Sequence, residues 1–166
     1  MTVERTNKVG THRLRDSAVT NAKVAAATLA YDKLAANTIS FRIPVPIPDS
    51  PQSGLDATST GTKWTSAFKL KWDTRHLKAV RIRATWTASD TDSVTKIAIS
   101  DDTNAADIIS VSGNAGTDTE AEATDLTNVT DGGLATVYAE VTTASAATGA
   151  TFDIAYVIVE LVLGVS

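Results

Sequence analysis

Three groups of carboxylates are the residues best suited by type to do chemistry: Asp90 with Asp92; Asp101, Asp102 and Asp107; and Glu120, Glu122 and Asp125. Converging carboxylates can hold a hard cation, and two that face each other across a cleft can hydrolyse a glycoside. None of the three spacings matches a calcium loop, and no aromatic-rich substrate groove accompanies them, so solvated turn carboxylates are expected. His12 lies among Arg13 and Arg15, and His76 follows Arg75; neither has a catalytic partner in view. The chain has no cysteine, which excludes a disulfide scaffold, thiolate metal sites and a cysteine nucleophile. No phosphate loop, nucleophile elbow or dinucleotide fingerprint is present. The expectation is a protein that is not an enzyme, with no catalytic residue, no metal site and no cofactor.

A basic strip runs through Lys63, Lys69, Lys71, Arg75, Lys78, Arg81 and Arg83, interleaved with Trp64, Phe68, Trp72 and Trp86. Stacking on nucleic-acid bases needs aromatics and cations on one exposed face. Here they alternate, so in a strand they point to opposite faces, giving core aromatics backed by a solvated basic face. With a net charge of −4 and a pI near 5.1, no nucleic-acid partner is expected.

The elements that must carry these residues follow from composition and period. The chain has 166 residues and a mass of 17.4 kDa, room for one domain or a smaller one plus an extension. Apolar residues make up 43% and charged residues 20%, which excludes a disordered tail. Aromatics are only 5%, while threonine and alanine number 26 each. Charge is segregated: residues 1–42 carry +4, residues 43–83 carry +4, and residues 84–166 carry −12. The split reads either as a solvated acidic surface or as complementary charge between neighbouring subunits. The opening MTVERTNKVG has no apolar region of the secretory kind. The most apolar run, Ile154 to Val165, is interrupted by Glu160 and falls short of the ~20 residues of a membrane span, so it reads as a buried strand without membrane insertion.

The first forty residues show a constant period. Val9, Leu14, Val19, Val24, Leu29, Leu34 and Ile39 are spaced five apart, among Ala, Thr, Asn, Lys and Asp. A step of five rotates about 140° around an α-helix, so these residues share no helical face. In a strand an odd step changes face each time. The period suits a chain wound about an axis with partner chains, because such a repeat cannot bury its apolar residue alone. A ten-residue echo relates Ala18–Val24 to Thr28–Leu34. This pattern resembles the AVTxAKL-type shaft repeats of bacteriophage and archaeal-virus tail fibres and spikes. The resemblance implies a trimer with a β-rich head, contacts to other virion proteins through the arm, and a place on the virion surface after synthesis in the host cytoplasm. An Ala-rich helix over residues 21–36 is an alternative for the same segment.

All four prolines fall in Phe41–Pro51, at Pro44, Pro46, Pro48 and Pro51. Proline lacks a donor, so this stretch is an edge strand or a strap, not a central strand. Gly54–Thr62 reads as a loop. Beyond it the pattern turns to period two: Trp64, Ser66, Phe68, Leu70 and Trp72, then Val80, Ile82, Ala84 and Trp86. The short link Asp73–His76 suggests that these two strands pair. Further strands are expected at Val94–Ser100, Ile108–Ser112, Leu134–Thr142 and Thr151–Leu163. The last has Ala155, Val157, Val159, Leu161 and Leu163 opposite Ile154, Tyr156 and Ile158, so it is either central or covered by a second subunit.

The expected fold is all-β: an extended repeat arm (1–42), a Pro-rich junction and loop (43–62), and an antiparallel, jelly-roll-like β-sandwich head (63–166). The expected function is a small homotrimeric fibre, spike or decoration protein serving assembly and host-surface attachment, with a cell-surface glycan as a further contact. Its oligomer interface is expected at Val9, Leu14, Val19, Val24, Leu29, Leu34, Ile39, Val157, Val159 and Leu161. The alternative is a monomeric carbohydrate-binding or adhesive module with the arm as a linker.

Overall fold

The computed structural model of the chain describes residues 39–47, 52–103 and 106–164. Val9, Leu14, Val19, Val24, Leu29 and Leu34, and with them the winding of the arm, lie outside the described residues.

Period-two stretches rich in β-branched residues become strands, and among the described residues there are nine: β1 (Ile39–Pro44), β2 (Gln52–Asp56), β3 (Gly61–Lys71), β4 (Leu77–Ala88), β5 (Val94–Asp101), β6 (Asp107–Gly113), β7 (Gly116–Ala123), β8 (Leu134–Thr143) and β9 (Thr151–Leu163). They form two sheets. One has the order β1-β9-β4-β7, with β2 also paired to β9; the other has the order β3-β8-β5-β6. Every pairing is antiparallel. From β2 to β9 this is the strand order of a jelly roll, with β1 extending the edge beside β2.

The inward faces meet in one core. Trp86, Phe152, Ile82, Ile97, Ile99, Ile154 and Val137 are its largest fully buried side chains. Trp86, on the central strand β4, stands opposite Gly116 of the edge strand β7. Its indole covers the place where a side chain at Gly116 would be: a Cβ there would lie 2.3 Å from the ring. The indole Nε1 donates to the Gly113 carbonyl at 3.2 Å.

Four expectations are corrected. β3 and β4 do not pair; they belong to opposite sheets. The end of β3 stays with β8, the Trp72 amide donating to the Gly133 carbonyl at 2.9 Å. A 3-10 turn at Thr74–His76, capped by Asp73, then carries the chain across. Both strands bear tryptophans on one face, and crossing lets those faces bury each other. Secondly, the segment 43–62 is not only junction and loop: β1 and β2 both pair with β9, so the sandwich begins at Ile39. Thirdly, β7 occupies part of a stretch that reads as turn and acidic cluster.

The fourth correction concerns β9. It is central, between β4 and the β1/β2 edge. Trp86 pairs with Ile154 but Thr85 pairs with Tyr156, which leaves Ala155 as an extra, exposed residue. Such a bulge shifts the alternation by one. Phe152 and Ile154 therefore share the inward face with Val157 and Val159, which are 1% and 2% exposed. Leu161 packs against the same core. The facing sheet of their own chain covers Val157 and Val159, and it covers Leu161 in part. Ile39, by contrast, is a half-buried edge residue paired with Leu163.

Candidate binding face

The two outer faces of the sandwich differ in how far their polar groups are spent. On the sheet containing β9, strand register places Arg42, Glu160, Arg81 and Glu122 in one row across β1, β9, β4 and β7. Arg42 Nε donates to Glu160 at 3.1 Å, Arg81 Nη1 reaches Glu160 at 3.5 Å, and Arg81 Nε donates to Glu122. In the next row Arg83 pairs with Glu120 at 2.8 Å. The basic strip elsewhere also finds acids of its own chain: Lys63 with Asp56 at 2.7 Å, and Lys69 with Asp102 at 2.8 Å. Much of the opposite charge carried by the two parts of the chain thus meets within the sandwich. Exposed pairs contribute only ~0–1 kcal/mol each. Their larger effect is on register, because sliding a strand by one residue would turn each charge off this face.

The acidic clusters dissolve in the same way. Asp90 accepts from the Asp92 amide at 2.8 Å, and Asp125 from the Thr127 amide at 3.1 Å, as turn carboxylates do. Glu120 and Glu122 are strand residues in ion pairs. Asp101 is fully buried and accepts from the amides of Thr103 at 2.7 Å and Thr130 at 2.9 Å. Among the described residues no group of three or more His, Asp or Glu converges on a metal position. His76 lies in the 3-10 turn.

Several carboxylates ionise more readily than usual. The Lys63 ammonium holds Asp56 well below the carboxylate range, and Arg75 brings Asp73 down to about 2. Lys69 and the Thr136 hydroxyl lower Asp102; Ser40, with Arg42 and Arg81, lowers Glu160 despite its burial. The folded chain therefore binds fewer protons than the unfolded one across the acid range. The stability these pairs supply is complete above the unfolded carboxylate values of about 4, and is lost as pH falls through the lowered ones. Melting midpoints should be level from about pH 7 to pH 5 and drop below about pH 4. In Glu160→Gln the drop should be shallower, which differential scanning calorimetry across this range would show.

The other outer face, on the sheet β3-β8-β5-β6, carries a shallow open groove of about 280 Å³. Register builds it from rows. Thr65, Tyr138, Ala98 and Ser110 form one row. Thr62, Glu140 and Lys96 flank it on one side, and Lys69, Thr136, Ser100 and Asp107 on the other. The Tyr138 hydroxyl donates to Asp107, which lies two strands away on β6. The ring must therefore lie across β5. Ala98, the cross-strand neighbour of Tyr138, is fully buried without belonging to the core cluster. Lys96 Nζ donates to Asp107 at 2.9 Å and to Glu140 at 2.5 Å, and sits 5.3 Å from the tyrosine ring centre. Burial works against the Lys96 charge, but bonds to Glu140, Asp107 and Tyr138 outweigh it and hold the ammonium above its ordinary range. Burial, with Asp107 as acceptor, raises Tyr138, so at neutral pH its hydroxyl stays a donor. Lys96 is not among the walls of the groove, which are Thr62, Thr65, Ser100, Asp107, Thr136, Tyr138 and Glu140. No sequence spacing marks this set; its members come from four strands.

The molecule so described is a jelly-roll β-sandwich with one self-paired outer face and one grooved, hydroxyl-rich face. No protein-family model and no curated protein matches the chain. Solved structures similar at low identity include the following two. The insecticidal delta-endotoxin Cry8Ea1 from Bacillus thuringiensis is 14% identical with a TM-score of 0.42, over 74% of this chain and 24% of that one. A family two carbohydrate esterase from Cellvibrio japonicus is 12% identical with a TM-score of 0.31, over 77% of this chain and 36% of that one. The chain thus spans about a quarter and about a third of their lengths. Among the described residues no helix is long and apolar enough to cross a membrane.

Proposed function

We propose that the chain is a virion structural protein: a small homotrimeric fibre, spike or decoration protein whose sandwich is a non-catalytic attachment head. The observation that supports this reading is the five-residue repeat and the place where it ends. Its seventh apolar residue, Ile39, is the first residue of β1 and pairs with Leu163 of the central strand β9. In sequence the repeat therefore runs into the sandwich with no Gly/Ser linker between them. One apolar residue in five cannot form a core by itself, and winding with identical copies supplies one.

Light scattering on the full chain tests this. The wild type should have the mass of a trimer. The double substitution Val24→Asp, Leu29→Asp should give a monomer with the melting midpoint of the head retained. A trimer that survives both charges would overturn the arm as the assembly element. A second reading, a monomeric adhesive module, is favoured by the groove over Tyr138, and a monomeric wild type would select it.

A further inference from the structure

We propose that the groove on the β3-β8-β5-β6 face binds a neutral oligosaccharide, with a sugar ring packed on Tyr138. This deepens the reading of the sandwich as an attachment head and rests on it.

The groove has the composition such a ligand requires. A sugar ring presents polarised C–H groups on one face and hydroxyls around its rim. The first suit the electron-rich face of an aromatic ring, and the second suit carboxylates and hydroxyls at fixed positions. Tyr138 is held by its bond to Asp107 and by the Lys96 ammonium over one face of its ring, so the platform is pre-ordered. Rigid aromatic surface costs little entropy on binding. Around it the hydroxyls of Thr62, Thr65 and Ser100 have no hydrogen-bond partner among the described residues, and they face the groove. At about 280 Å³ the groove falls just below the ~300–1,000 Å³ usual for ligand clefts, which suits the end of a glycan and not a whole chain.

Charge selects among sugars. Two carboxylates, Asp107 and Glu140, line the groove, and the cation that pairs with them, Lys96, does not. An anionic sugar would meet these carboxylates with no cation among the walls to receive it. An amine would have to compete with Lys96, already bonded to both. A neutral sugar needs neither, and uses the hydroxyls that remain.

The test is saturation-transfer NMR on the full-length protein. The probes are lactose, maltotriose, cellotriose and chitotriose, with 3′-sialyllactose as the anionic control. At least one neutral probe should bind. Its affinity should fall about tenfold or more in Tyr138→Ala and in Thr65→Arg, an exposed position where misfolding is not at issue. Tyr138→Phe keeps the ring but loses the bond to Asp107 that orders it, so its affinity should lie between those of the wild type and Tyr138→Ala. Silence from all four neutral probes would overturn the site, as would binding indifferent to Thr65→Arg or stronger binding of 3′-sialyllactose than of lactose. Light scattering on the same samples separates the two readings. A trimer that binds no neutral probe removes the site alone, and a sugar-binding monomer removes the trimer and keeps the site.

Discussion

Replacing Trp86 with alanine should destabilise the sandwich by about 3–5 kcal/mol, a large share of the ~5–15 kcal/mol typical of a single domain. The residue is 1% exposed and fills the end of the core beneath β7. Its loss also strips the cover from Gly116, whose missing side chain makes the close approach of the ring feasible. A double-mutant cycle reads the pair directly. Gly116→Ala alone should cost about 1–3 kcal/mol, because its methyl would overlap the indole. In the Trp86→Ala background the methyl no longer meets the ring, though the Thr119 hydroxyl still lies 2.6 Å from its place, so the added cost should shrink. Urea denaturation of the four proteins measures this; additive costs would show that ring and glycine do not depend on each other.

Asp101→Ala should be nearly as damaging, by about 2–5 kcal/mol, although Asp101 is a polar residue in a turn-rich stretch. Its carboxylate joins the end of β5 to the loop before β8 through the amides of Thr103 and Thr130. Truncation leaves both donors without their acceptor. Gly133 presses against the same carboxylate, since a Cβ there would lie 2.6 Å from Oδ2. Asp101→Asn keeps the shape and one acceptor oxygen, so it should recover part of the loss. Equal stability of Asp101→Ala and the wild type would show that the loop finds other partners.

What the sequence disclosed depended on contrast between faces. Val94–Ser100, Ile108–Ser112, Leu134–Thr142 and Thr151–Leu163 lie within β5, β6, β8 and β9, because β-branched residues concentrate there. β7 escaped because its core-packed residues are Ala121 and Ala123, too small to stand out against Glu120 and Glu122. The alternation at Trp64–Trp72 and Val80–Trp86 told which faces are apolar. It could not tell whether two such strands lie side by side or face to face, since both bury the same residues. The face assignments of β9 failed at one residue, Ala155, because a bulge is a property of the pair and not of the strand. The segregation of charge was visible, but its outcome in the Arg42–Glu160–Arg81–Glu122 row required the register. The groove was hidden altogether: Thr65, Asp107 and Tyr138 are distant in sequence and meet only through the order β3-β8-β5-β6.

The position of β9 bears on how the molecule comes into being. In chain order it is the last of the nine described strands, yet in space it is the spine on which β1, β2 and β4 all hang. As a ribosome delivers the chain, the early strands emerge with one edge lacking its partner, and they stay so until β9 clears the exit tunnel. Closure is therefore a late, concerted event that joins distant parts of the sequence, which favours slow folding and exposes unpaired edges in the meantime. Premature termination just short of β9 would not yield a slightly smaller sandwich; it would yield none.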